Sequence, residues 1–175
     1  MDNYLLLSPS LELERLSARL EFAKTLFLGR DFVIVSGTLK DILIKTKEAK
    51  KKKLMVICRC NDEKILRFVL EKVPIDAILG AEDIFRKDSL HYPKSGLDHI
   101  LSKIAFEQGK AVGFSFSALL HATDKGKLLN RMKFNLKLCR KYKLQVIFSN
   151  FSTAQAEIRS AKDLEAVLRV LNKGK

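Results

Sequence analysis

The chain is poor in histidine, cysteine, proline and glycine and has no tryptophan: three His, three Cys, three Pro and eight Gly in 175 residues. Each shortage removes a class of explanation. His91, His99 and His121 show neither single-residue nor His-x-x-x-His spacing, whereas a phosphoesterase metal centre draws on two or three close His together with acids. Cys58-Arg59-Cys60 offers two thiolates where a structural zinc takes four ligands, so the pair reads as small buried hydrophobes on a strand. Cys58, Cys60 and Cys139 cannot all pair, and the first two are too close along the chain for a useful staple, which fits a reducing compartment. The scarce Pro and Gly leave no long linker, and the glycines lack the spacing of a nucleotide phosphate cradle. No Gly-x-Ser-x-Gly elbow occurs. No apolar run approaches the ~18 residues of a membrane span and no targeting pattern opens the sequence, so a cytoplasmic protein without a membrane partner is expected.

Positive charge is what the chain does have. Lys and Arg number 33 against 20 Asp and Glu, a net charge of +13 with a sequence pI near 9.8. After Thr123 there are 13 cations against four acids. A concentrated positive field draws polyanions and is the footprint of a nucleic-acid binder, although lysine-rich surfaces also occur in proteins that bind none. The 47% hydrophobic content supports a folded core, expected as a single domain over residues 1–175.

Short apolar runs alternate with amphipathic stretches. Strands are expected at Tyr4–Leu7, Phe32–Val35, Leu54–Ile57, Ala77–Leu79, Ala111–Phe116 and Val146–Phe148. Between them, helical spacing places Leu13, Leu16, Leu20, Ala23 and Leu26 on one helix ending at Gly29. Thr38–Asp41, Ser95–Asp98 and Ser160–Asp163 read as capping boxes, and a long helix covers Leu128–Lys143. Glu82–Lys94 is irregular. Strands that are continuously apolar are covered on both faces, which implies an α/β fold with a mostly parallel sheet. A closed eight-stranded barrel takes roughly 200 residues or more. The expectation is therefore an incomplete or trimmed TIM-like β/α barrel, with an open doubly wound sheet as the competing architecture.

On the long helix, Leu128, Leu129, Met132, Leu136 and Cys139 share a buried side, while Lys133, Lys137, Arg140 and Lys141 project together from another. Such a stripe suits phosphate contact, or else is a solvated helix face. Lys50, Lys51, Lys52 and Lys53 form a second cationic group, or complement a helix dipole. Arg159 can fork onto a phosphate or pair with Asp163. Asp98 and His99 open their helix, Asp98 as part of a cap. Phe114, Phe116, Phe148 and Phe151 are read as core residues, so shape and phosphate recognition of a folded RNA is favoured over base stacking.

Three segments carry a resemblance: Ser95-Gly-Leu-Asp-His-Ile-Leu101, Leu138-Cys-Arg-Lys-Tyr142 running into Val146-Ile-Phe-Ser149, and Arg159-Ser-Ala-Lys-Asp-Leu164. In order and spacing they resemble the archaeal ribonuclease P protein component 3 family, counterpart of the eukaryotic thirty-kilodalton subunit. The resemblance implies a barrel related to the PHP-type metal phosphoesterases but lacking their histidine-rich centre. It implies a non-catalytic subunit of the ribonucleoprotein endonuclease that removes the 5′ leader of precursor tRNA. It further implies no cofactor in this chain, Mg²⁺ bound by the ribonuclease P RNA, and partnership with protein component 2, as a heterotetramer, and with other protein subunits. His99 and Asp163 are carried over by their place in the motifs. The chain departs from the family at Phe148-Ser-Asn-Phe151, where a smaller Ser- and Gly-rich turn is expected. The alternative is a stand-alone metal-dependent phosphoesterase using Asp83, Asp88, His91 and His99.

Overall fold

A computed structural model describes residues 1–85, 87–90 and 93–173. Its elements in chain order are β1 (Asp2–Leu5), α1 (Leu11–Arg19), β2 (Lys24–Phe27), β3 (Phe32–Val35), α2 (Leu39–Lys51), β4 (Met55–Arg59), α3 (Glu63–Lys72), β5 (Ala77–Leu79), α4 (His99–Glu107), β6 (Ala111–Ser115), α5 (Phe116–His121), α6 (Lys125–Lys141), β7 (Val146–Ser149) and α7 (Ala161–Asn172). Strands β3-β4-β5-β6-β7 form one parallel sheet and β1-β2 a second, also parallel.

The two sheets curl into one trimmed barrel. Beyond β7 the chain turns against β1: Phe151 N–H donates to Tyr4 O (2.8 Å), Leu6 N–H to Ser152 O (2.9 Å), and Tyr4 N–H to Ser149 Oγ (2.7 Å). At the other edge β2 passes to β3 through four residues with no helix between them. Period-two alternation then divides the apolar residues into two sets. Tyr4, Leu26, Phe32, Ile57, Leu79, Ala111 and Ile147, from all seven strands, meet in the lumen. Val35, Val56, Cys58, Ile78, Val112, Phe114 and Phe148 face the helices.

Phe151 closes the lumen. Its ring stacks on Tyr4 at 5.3 Å between centroids, and Phe32 stands edge-on to both at 5.4 and 6.4 Å. This is where a smaller turn was expected, and the reason is steric. The described strands number seven, and aromatic bulk fills the space inside them. Phe151 reaches it at φ 45°, a left-handed backbone unusual for a bulky residue.

Helix starts follow the expected chemistry at two of three boxes. Thr38 with Asp41 and Ser160 with Asp163 are reciprocal capping boxes. The third differs: Asp98 is itself the cap, accepting from Leu101 N–H at 2.7 Å, while Ser95 Oγ bonds Asn135 Oδ1 at 2.5 Å. The first helix also differs. It stops at Arg19, turns through Glu21 at φ 64°, and gives way to β2. Ala23 and Leu26 matched a helical stripe, but Leu26 enters the lumen and Phe27 the outer core, a strand's alternation. Phe116 begins the short helix α5 instead of ending a strand. Cys58, Cys60 and Cys139 are free and buried, as expected of small core residues.

Candidate nucleic-acid interface

The basic helix α6 has no acidic residue in its length. Lys133, Lys137, Arg140 and Lys141 are exposed on one side, while Leu128, Met132, Leu136 and Cys139 lie in the core. Like charges three or four residues apart destabilise a helix by about 0.2–0.5 kcal/mol per pair, so this stripe works against α6 unless an anion lies on it.

The helix is held rigidly enough to present the stripe. Arg131, only 2% exposed, donates through Nε to Asp88 Oδ1 (2.7 Å) and through Nη1 to the carbonyls of Phe85 (2.6 Å) and Glu82 (3.1 Å). Burial pushes the Asp88 carboxyl up, but hydrogen bonds from Arg131 and from Lys94 N–H outweigh it and hold the carboxyl below its ordinary range. Arg140 Nη1 donates to Asn172 O (2.6 Å), tying the end of α6 to that of α7. Tyr142, the C-cap of α6, places its hydroxyl 3.2 Å from His99 Nδ1, and Lys141 Nζ lies 5.7 Å from the Tyr142 ring centre. With the Ser95–Asn135 bond, this joins the Ser95–Leu101 and Leu138–Tyr142 segments into one surface.

The remaining candidates are placed differently. Lys50 Nζ bonds both Asp76 carboxylate oxygens (2.6 and 2.7 Å), and Asp76 also receives Val56 N–H. Its charge is spent within the fold, whereas Lys51, Lys52 and Lys53 are exposed. Arg159 turns its guanidinium back onto the carbonyls of Ala156 (3.0 Å) and Ile158 (3.3 Å). Asp163 is occupied by Ser160, whose hydroxyl donates to it at 2.7 Å, so the Arg159–Asp163 pairing does not form. Asp88 belongs to Arg131 and His99 to Tyr142, and His91 lies outside the described residues. Among the described residues no three His, Cys, Asp or Glu side chains converge.

Some structural cations were not legible as such. Lys110 is buried, its ammonium donating to the carbonyls of Val69, Leu70 and Val73, where it caps α3. Arg131 lies within a basic helix, and no pattern marked it as internal. Where strands β6 and β7 end, Glu157 accepts from Ser117 Oγ (2.9 Å) and meets His121 Nε2 (2.6 Å); His121 first, then Ser117, holds its carboxyl below the ordinary range. The carboxylate stands between the other two, so the order differs from that of a Ser–His–acid triad, in which the imidazole bonds the serine.

No protein-family model matches the chain. Sequence relatives are found among proteins named ribonuclease P protein component 3. That of Thermococcus gammatolerans is 31% identical over 130 residues, 73% of this chain and 56% of the relative. That of Methanocaldococcus jannaschii is 28% identical over 140 residues, 79% and 57% of the two chains. Over most of its length the chain is thus similar to the ribonuclease P protein component 3 family. It spans a little over half the length of these relatives. Its fold matches a chain in a cryo-electron-microscopy structure of archaeal ribonuclease P with mature tRNA. The TM-score is 0.69 at 23% identity, covering 98% of this chain and 72% of that one. The trimmed barrel is therefore a fold found in such an assembly. No helix among the described residues is long and apolar enough to cross a membrane.

Proposed function

We propose that this chain is a cytoplasmic protein subunit of ribonuclease P, which supports the catalytic RNA in removing the 5′ leader of precursor tRNA. The observation that carries the reading is the acid-free stripe Lys133–Lys137–Arg140–Lys141 on α6, in a chain similar to this family. Cations held on a braced helix neutralise phosphates where RNA helices crowd together. Each contact releases counterions, so association weakens steeply with salt. An RNA so neutralised reaches its active fold at lower free Mg²⁺. The hydrolytic metal ions belong to the RNA, and this chain's side chains position it without breaking bonds.

Its partners on this reading are ribonuclease P RNA and other protein subunits, among them protein component 2 in a heterotetramer, with precursor tRNA met indirectly. The relatives' names and the assembly that holds the matching fold support the subunit role. The test is reconstitution with that RNA and the other protein subunits. Lys137→Glu combined with Arg140→Glu is expected to slow precursor-tRNA cleavage at low Mg²⁺ by tenfold or more, as two lost phosphate contacts imply, with recovery as Mg²⁺ is raised. Wild-type cleavage at low Mg²⁺ would remove the stripe from the RNA contact. Metal-dependent phosphodiester hydrolysis by the purified chain alone would restore the phosphoesterase alternative.

A further inference from the structure

Cations far apart in sequence share one end of the barrel. Because the strands are parallel, strand starts and the ends of the preceding helices gather there. The chain leaves α1, α2, α4 and α6 through the same turn; after α1 the left-handed position is held by Glu21 (φ 64°), with Phe22 N–H donating to Ser17 O (3.2 Å). Lys53, Gly109 and Lys143 take left-handed φ values of 56°, 62° and 56°. The residue after each then donates to the carbonyl five positions back: Leu54 to Ala49 (3.1 Å), Lys110 to Ala105 (2.8 Å) and Leu144 to Cys139 (2.9 Å). This closure of a helix favours glycine at the left-handed position, since a Cβ there is strained. Gly109 shows that the fold accepts glycine. At Lys53 and Lys143 a lysine stands in its place, exposed in both cases.

The surroundings leave positive charge in excess. Lys51, Lys52, Lys72 and Lys141 are exposed at the same end. Of the acids there, Asp76 is paired with Lys50, Glu71 with Arg67, Glu107 with Lys103, Asp31 with Arg30 and Glu21 with Lys162, while Asp2 is in no ion pair among the described residues. A hollow of about 390 Å³ opens between the turns after α2, α3 and α4, with Lys72 on its wall. The α6 stripe runs down to this end through Lys137 and Lys141.

We propose that the strand-start end of the barrel, centred on Lys53 and Lys143, is a docking face for the phosphate backbone of a folded RNA. The inference rests on the ribonuclease P reading and adds to it a direction. RNA meets the end opposite the strand termini, where barrel enzymes carry out their chemistry. At two of these turns the strained position adds an exposed lysine, while Glu21 at the turn after α1 is neutralised by Lys162.

Glycine substitution separates the charge from the turn. In the full chain, Lys53→Gly with Lys143→Gly keeps the left-handed backbone and is expected to raise the thermal midpoint. Binding to in vitro transcribed ribonuclease P RNA, measured over a salt series, is expected to weaken. The slope of log affinity against log salt should become shallower by about 1.5, at roughly 0.7–0.9 per phosphate contact. Lys64→Ala with Lys125→Ala, which removes two exposed lysines near helix starts, is expected to leave affinity and slope unchanged. Wild-type affinity and slope in the glycine variant would overturn the docking face while leaving the ribonuclease P reading intact, as would an equal loss in the alanine variant. A wild-type chain without salt-dependent affinity for this RNA would overturn both.

Discussion

Glu82 carries a carboxyl group buried at the edge of the core. It is 1% exposed, its Oε2 has no hydrogen-bond partner among the described residues, and burial raises its carboxyl from the ordinary 4.5 to about 7. Arg131 lies beside it but spends its Nε on Asp88 and its Nη1 on backbone carbonyls, leaving Nη2 buried and without a partner among the described residues. Between pH 4.5 and 7 the folded chain keeps a proton that the unfolded chain has released. The contribution of Glu82 to stability therefore falls as pH rises through that window, then levels off. Glu82→Gln is expected to flatten the slope and to raise stability at pH 8 by up to roughly 3 kcal/mol. Urea unfolding at pH 5 and pH 8 measures this; the same loss in both proteins would clear Glu82 as its source. Single residues were where the sequence was least legible. Lys110 and Arg131 look in the sequence like any surface cation, and only their depth reveals them as caps and clamps.

At the scale of elements, capping chemistry explains which boundaries could be read. Ser160 and Asp163 satisfy each other's backbone N–H groups at the start of α7, a pattern local enough to be visible in four residues. Ser95 and Asp98 have the same spacing, yet Asp98 alone caps α4, because Ser95 is drawn to Asn135 forty positions away. Two potential caps three residues apart are indistinguishable until a tertiary partner takes one. With Asp163 held in its box, its role is to start α7. Ser160→Ala and Asp163→Ala are each expected to destabilise the chain by about 1 kcal/mol, lowering the thermal midpoint, while the salt slope of RNA association stays unchanged. A changed slope for Asp163→Ala with an unchanged midpoint would instead make it a contact residue.

For the whole molecule, closing a barrel with fewer strands than usual sets the constraint. Among the described residues seven strands surround a lumen filled by Tyr4, Phe32 and Phe151. At the join between β7 and β1, Asn150 donates to Asn3 Oδ1 (2.8 Å) and to Arg159 O (3.1 Å), while Arg159 N–H returns to Asn150 Oδ1 (2.9 Å). The turn that departs from the family pattern is thus the piece that seals the barrel. Phe151→Ala is expected to destabilise it by about 3–5 kcal/mol, the range for emptying a buried aromatic site, seen as a lower denaturant midpoint. Because Phe151 lies inside the lumen and the cationic stripe outside it, the folded fraction should bind RNA as before. A loss of under 1 kcal/mol would mean that neighbouring side chains refill the lumen.

Local sequence was enough to settle the parallel α/β class, most strands and helices, two capping boxes and the acid-free side of α6. Each depends on spacing within a few residues, and apolar periodicity records which face of an element is buried. Tertiary structure decided the rest. It ended α1 early so that Leu26 could enter the lumen, bonded Lys50 to Asp76, turned Arg159 onto its own carbonyls, and gathered the turns at Lys53 and Lys143 on one end. The physical reason is that charge and hydrogen-bonding capacity are written in the side chain, whereas the partner that takes them up is chosen by closure of the barrel, which joins segments as distant as Asn3 and Asn150.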